Sequence, residues 1–346
     1  MDQVADHASR PGEDRSLDTA FRPHARLAAV RQHEFPRTVW QPTRAPPAIN
    51  LRATAILTLG IYVSALGTSA SLGIAAPILN GAPLCLAAAA VLSRYGRITF
   101  PNASRTALFV EAACAVIVLG LSLACLSYLA AAIDLPLRDQ QLIRVDRYLG
   151  FDWLQVMLAI DGCPRLLGLL DGAYATFTFQ LIATVLILVL ARRPRDLDRF
   201  FITFICASLI SEIASVMIPT LGPMSALAAH SSFANLPTLG RTTAEIVIAL
   251  RDGTLKEVDL DAINGIISFP SLHAAVAVIV PFALCWNKPL LCAVVVLDSV
   301  MLVSAVPSGN HYLTDVVGGV GIAVLAIVCS RPIQALLNGE TSARDC

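Results

Sequence analysis

Long apolar runs, separated by short polar stretches, fill most of the chain after residue 50. The runs fall at about 52–70, 73–93, 105–131, 175–191, 200–221, 269–286, 289–306 and 311–330. A helix needs about 20 residues to cross about 30 Å of hydrocarbon. The pattern therefore predicts about eight transmembrane helices and an all-α, polytopic membrane bundle. Gly60, Gly67, Gly73 and Gly81 interrupt the first two runs, and the turn between them is short.

Composition agrees with the pattern. Of 346 residues, 56% are hydrophobic and 14% charged, against about 25% charged in a soluble domain. Mean hydropathy is +0.68. These values exclude an ordinary soluble globule, a disordered chain and a disulfide-stapled secreted module. Lys+Arg and Asp+Glu each number 25, so no charge excess points to nucleic acid. Seven of the nine Cys sit inside apolar runs, with no zinc-like spacing, and read as small hydrophobes.

Residues 1–50 are polar and carry seven scattered Arg, with no apolar core of a signal peptide. They read as a disordered or loosely membrane-associated cytoplasmic tail. Residues 51–95 read as two accessory transmembrane helices, 105–330 as the main membrane domain and 331–346 as a cytoplasmic C-terminal tail. Orientation follows the distribution of positive charge in short loops. Arg94, Arg97 and Arg105, then Arg192, Arg193, Arg195 and Arg199, then Lys288, and finally Arg331 and Arg344 all fall on one side. That side is assigned to the cytoplasm, which places 132–174, 222–267 and 307–310 outside. The expected location is an inner or plasma membrane.

Candidate chemistry gathers at the external ends of the last helices. His273 and His311 stand 38 positions apart, room for two helices of about 19 residues and about 28 Å each. A helical hairpin of that length returns both His to one membrane face. Around the first, Ser268-Phe269-Pro270-Ser271-Leu272-His273 reads as a helix start with Ser268 as cap and Pro270 in the first turn. Such an end suits a phosphate, and Ser271 adds a hydroxyl donor. Around the second, Asn310 reads as the cap of the last helix. His311 and Asp315 share a helix face at i, i+4. The carboxylate there can fix the imidazole tautomer. Glu111, Glu212 and Asp298 also lie within apolar runs; none has an evident sequence partner. Two His, an orienting Asp and two helix N-termini on one face suit phosphoryl transfer.

The segments Ser268–His273 and Gly309–Asp315 resemble the second and third signature motifs of the type 2 phosphatidic acid phosphatase superfamily. The Phe-Pro-Ser-x-His and His-Tyr-x-x-Asp forms look most like the branch that includes inositol phosphorylceramide synthases. The resemblance covers about 105–330 and implies a six-helix phosphatase-like core. It also implies His311 as nucleophile through a phosphohistidine, Asp315 as its orienting residue and His273 as general acid and base. No metal or cofactor is implied. Two features depart from the family pattern: Lys-x6-Arg-Pro has no match upstream of His273, and Ala305 stands where the third motif carries Arg. Arg251 and Arg241, in the external loop before His273, are the candidate replacements for these phosphate clamps. Leu250-Arg251-Asp252-Gly253 resembles a segment seen before Phe-Pro-Ser-x-His in that branch, which favours Arg251. The stretch 139–153 also resembles a recurring feature of the branch. Its amphipathic pattern fits a helix on the outer membrane surface, and the spacing of Asp139, Asp146 and Asp152 does not make a metal site.

The resulting expectation is an enzyme of lipid metabolism. It acts on a membrane lipid phosphate or phosphodiester at the outer face, as a phosphatase with water as acceptor or a phosphotransferase with an alcohol. The alternative is a non-catalytic membrane protein, either a transporter or a degenerate family member. A structure with His273, His311 and Asp315 far apart favours that alternative. The sequence fixes neither head group, acceptor nor oligomeric state.

Overall fold

A computed structural model of the chain describes residues 51–75, 104–228, 231–257 and 265–337. The N-terminal tail, most of the expected second span and the end of the C-terminal tail lie outside the described residues. Twelve helices are described: α1 (Leu51–Leu72), α2 (Ser104–Ala131), α3 (Asp139–Tyr148), α4 (Trp153–Asp161), α5 (Pro164–Ala175), α6 (Phe177–Leu190), α7 (Pro194–Met217), α8 (Pro223–Ala228), α9 (Leu239–Arg251), α10 (Leu272–Leu284), α11 (Lys288–Ser304) and α12 (Leu313–Leu337). No strand occurs among the described residues, only an isolated bridge between Ala75 and Glu257. The fold is an all-α bundle.

Seven of the eight expected spans fall on described residues, and each is helical. Among the described residues, α2, α7 and α12 are individually long and apolar enough to cross a membrane. The helices α6 and α10, at 14 and 13 residues, are about 20 Å long, shorter than the apolar runs that predicted them. The stretch before α6, expected outside, also holds more structure than its sequence pattern implied. There α4 and α5 meet at 117° and together are apolar enough to count as one broken span. The break is local chemistry. Gly162 ends α4, and Pro164, at the first position of α5, has no N–H to continue the first helix.

Helix α10 is the centre of the bundle and packs against α6, α7, α11 and α12. A helix surrounded on all sides has no polar face to offer. Accordingly Ala275, Val276, Ile279 and Val280 are at most 1% exposed and lie in the main apolar core. Its N-terminus docks against α12 at Gly319. A Cβ there would lie 2.1 Å from the carbonyl oxygen of Ser271, so glycine is what allows the two backbones this close. The Ser271 N–H donates to the Asp315 carbonyl at 3.0 Å across the same junction.

Helix α3 fixes the start of α12 from a distance. The Asp146 carboxylate accepts from the N–H groups of Leu313 at 2.9 Å and Thr314 at 2.8 Å, and from the Thr314 hydroxyl. A carboxylate satisfying free first-turn N–H groups also complements the positive end of the helix dipole. Asp146, and not the adjacent Asn310, therefore caps the last helix. Asp139 accepts from the N–H groups of Leu221 and Gly222 and from the Tyr312 hydroxyl at 2.8 Å. Gly222 takes φ +90 at this corner, where a side chain would be strained. Asp152 caps α4 through the Gln155 N–H. The three acids of 139–153 are thus structural anchors, and two of them are buried.

Candidate active site

The site lies where the N-termini of α10 and α12 meet. The rings of His273 and His311 have centroids 6.3 Å apart with planes at 58°. His311 and Asp315 are 2% and 0% exposed. His311 Nδ1 lies 2.8 Å from the carbonyl oxygen of Ser268 and 3.6 Å from Asp315 Oδ2. A carbonyl can only accept, so Nδ1 carries the proton and Nε2 keeps its lone pair. That Nε2 faces the Tyr174 hydroxyl at 3.4 Å.

Asp315 reaches the histidine through its neighbours. Its Oδ2 accepts from the Tyr312 N–H at 2.9 Å and lies 2.8 Å from the Ser268 hydroxyl. The same hydroxyl is 2.6 Å from the Asn310 carbonyl oxygen. Ser268 thereby joins the two motifs: its backbone oxygen takes the His311 proton, and its side chain ties to the loop carrying His311. Its expected role as cap of α10 belongs instead to Ser271. That side chain accepts from the Ala274 N–H at 3.3 Å with extended backbone at φ −70, ψ 113. Ser268 is too far upstream, because Pro270 and Ser271 precede the first helical residue. Ser271 is 0% exposed, and its hydroxyl hydrogen is not consumed by accepting the cap bond.

His273 is held by two rings. Tyr174 stacks on it at 3.7 Å and 10°, and Phe177 lies at 4.5 Å and 40°. Sequence reasoning missed both. Tyr174 does stand immediately before the apolar run at 175–191, on the face assigned to the two His, which was a usable signal.

The two candidate clamps make their contacts elsewhere. Arg251 donates to the carbonyl oxygens of Ile133 and Leu135 and pairs with Asp134 at 2.6 Å. Arg241 donates to the carbonyl oxygens of Ala228 at 3.4 Å and Ser231 at 2.6 Å. Arg251 nonetheless lines a cavity of about 340 Å³ whose wall includes Ser268 and Phe269.

The histidine pair at two helix starts, the first closing Phe-Pro-Ser-x-His, lies in a stretch that a family model matches. The model for the PAP2 superfamily aligns with residues 140–329, more than half of the chain. The chain belongs to the PAP2 superfamily. No curated protein matches it, and no solved structure does. The PAP2 match begins in α3 and ends in α12, so Asp146, Tyr174, Ser268, His273, His311 and Asp315 all lie within it, while α1 and α2 lie before it. PAP2 membership, together with helices long enough to span a bilayer, makes this an integral membrane protein of phosphate-ester chemistry.

Proposed function

We propose that this PAP2 protein is a membrane lipid phosphatase or phosphotransferase that works through a phosphohistidine on His311. The observation that carries the proposal is the tautomer. With Nδ1–H held by the Ser268 carbonyl, Nε2 of neutral His311 keeps its lone pair, met by the long 3.4 Å contact to the Tyr174 hydroxyl, and the ring of His273 lies 6.3 Å away, centroid to centroid. Reacting atoms meet at about 3–3.5 Å and proton transfer needs about 2.6–3.2 Å. Rings 6.3 Å apart are therefore near enough for one phosphoryl group to engage both.

In the first step Nε2 of His311 bonds to phosphorus while the bond to the leaving oxygen breaks. His273, which takes up a proton as the phosphate anion binds beside it, gives that proton to the leaving oxygen. In the second step His273 takes a proton from water or an alcohol. The resulting oxygen nucleophile bonds to phosphorus, and the bond to Nε2 breaks. Asp315 positions His311 by holding Ser268 and the Tyr312 N–H. The scheme uses no metal or cofactor.

Positive potential for the phosphoryl oxygens comes from the start of α10, as at other helix N-termini, with Ser271 as its cap. Arg251 and Arg241 supply cationic contacts to the substrate. The place of Arg251 on the wall of the cavity that reaches Ser268 supports this, and engagement requires its release from Asp134. The site faces outward, on the side opposite the Arg192–Arg199 cluster, and draws its lipid from that leaflet. The inositol phosphorylceramide synthase-like motif forms favour an alcohol acceptor over water. The proximity of His273, His311 and Asp315 favours catalysis over the non-catalytic alternative.

A screen of purified protein for phosphate release from lipid phosphates and diphosphates, with and without alcohol acceptors, tests the proposal. Turnover of at least one lipid phosphate, lost in His311→Ala, is expected. Turnover that persists undiminished in His311→Ala contradicts it.

A further inference from the structure

A second cavity opens at the other end of the bundle. It has a volume of about 510 Å³ and is lined by Arg193, Asp196, Arg199 and Phe200 from the start of α7, with Phe282, Ala283, Cys285 and Trp286 from the end of α10. His273 is at the first turn of α10 and Trp286 lies just beyond its last turn, so the cavity is about 20 Å from the histidine pair.

The chemistry of the lining is specific. Arg199 Nε and Trp286 Nε1 are both buried and have no hydrogen-bond partner among the described residues. Buried N–H donors are nearly always satisfied, because an unpaired one keeps its full desolvation cost. Two such donors on one cavity wall point to an acceptor between them. The guanidinium of Arg193 stacks over the Trp286 ring at 4.6 Å and meets Asp196 at 3.3 Å. Asp196 therefore offsets Arg193, and Arg199 remains as net positive charge. Arg193 is also the N-cap position of α7 and makes no side-chain cap bond, which adds the positive end of a helix dipole. Phe200 and Phe282 supply an apolar wall beside these donors.

We propose that this cavity binds the phosphate group of an anionic phospholipid on the membrane face opposite the catalytic histidines. The phosphate oxygens accept from Arg199 and from the Trp286 N–H, and the phenyl groups of Phe200 and Phe282 lie against the apolar part of the lipid. An Arg fork and an indole N–H suit a phosphate acceptor. Inorganic phosphate offers the same oxygens without the apolar part. The inference stands on this cavity alone and goes beyond the reaction at His311.

The test is native mass spectrometry of the full chain in detergent, titrated with phosphatidylglycerol or phosphatidylcholine. The wild type is expected to retain phosphatidylglycerol preferentially. Arg199→Gln is expected to weaken that retention at least about tenfold, the loss of a charge-assisted bond. Trp286→Phe keeps a smaller ring under Arg193, deletes the N–H and is expected to weaken it severalfold. Arg195→Gln, an exposed member of the same basic cluster that does not line the cavity, is expected to behave as wild type. Gel filtration reports whether each variant is folded, and Trp286→Phe keeps the test decisive if Arg199→Gln is not. In lipid-free detergent, inorganic phosphate that raises the wild-type unfolding temperature, but not that of Trp286→Phe, supports the anion site with free phosphate as its ligand. Lipid retention without such an effect supports the phospholipid. Equal losses in Arg195→Gln and Arg199→Gln, or wild-type retention in both cavity variants, overturn the proposal.

Discussion

Tyr174 lies flat on His273, with ring centroids 3.7 Å apart and planes 10° from parallel. Helix α5 thereby sets the ring of the proposed general acid, while the hydroxyl of the same tyrosine sits 3.4 Å from Nε2 of the proposed nucleophile. The two contacts separate by mutation. Tyr174→Phe keeps the stack and removes a long hydrogen bond worth under about 1 kcal/mol, so kcat is expected to stay within about fivefold of wild type. Tyr174→Ala removes the stack and frees His273. It is expected to lower kcat by about ten- to a hundredfold with little change in KM, because misplacement of a catalytic group acts on the chemical step. Steady-state kinetics on one lipid phosphate checks both.

Asp315 acts on His311 at second hand. The Nδ1 proton goes to the Ser268 carbonyl, and the carboxylate at 3.6 Å is beyond good hydrogen-bond range. Asp315→Asn is expected to lower kcat by about one to two decades, since its Oδ2 holds both Ser268 and the Tyr312 N–H. Ser268→Ala keeps the carbonyl and loses only the hydroxyl tie, so a smaller loss is expected. Because the two side chains share one contact, the double variant is expected to fall short of the product of the single losses.

The Arg251–Asp134 pair distinguishes a substrate clamp from a strut. If Arg251 leaves Asp134 to bind phosphate, Arg251→Lys lowers kcat/KM by about one to two decades, because Lys lacks the planar fork. Asp134→Ala then leaves kcat/KM unchanged or raised, and Arg241→Lys costs less than Arg251→Lys. Equal losses in Arg251→Lys and Asp134→Ala make the pair structural only.

Asp146 holds the start of α12 from 167 residues away. Asp146→Ala leaves the half-buried N–H groups of Leu313 and Thr314 without their acceptor and removes the favourable charge at the helix dipole. A loss of about 2 kcal/mol in stability is expected. It is measurable as a lowered unfolding temperature in detergent, with loss of activity following the disorder of the His311 loop.

The local pattern carried what depends on local chemistry. Apolar runs long enough to cross a bilayer became helices, and the 38-residue interval placed His273 and His311 on one face. The family match covers the segments whose motifs resembled PAP2. What the sequence concealed are contacts between distant segments. Asp146 looked like part of a surface helix, yet its carboxylate is consumed at the start of α12. Asn310 stood in the local cap position, but the cap came from α3. Ser268 read as a cap, while its carbonyl takes the His311 proton. Tyr174 had no motif, because a stacking partner is defined only by the packing of α5 against the end of the bundle. Arg251 was legible as a free cation, and its exposed partner Asp134 was not.

The central claim is that Nε2 of His311 carries the phosphoryl group. Purified protein incubated with a lipid carrying radiolabelled phosphate, rapidly quenched at alkaline pH and digested, locates that group directly. The account predicts an acid-labile phosphate on the peptide containing His311, more abundant in His273→Ala if that variant stalls after the first step, and absent in His311→Ala. An acid-labile label of undiminished yield in His311→Ala, or one mapped to His273, contradicts it.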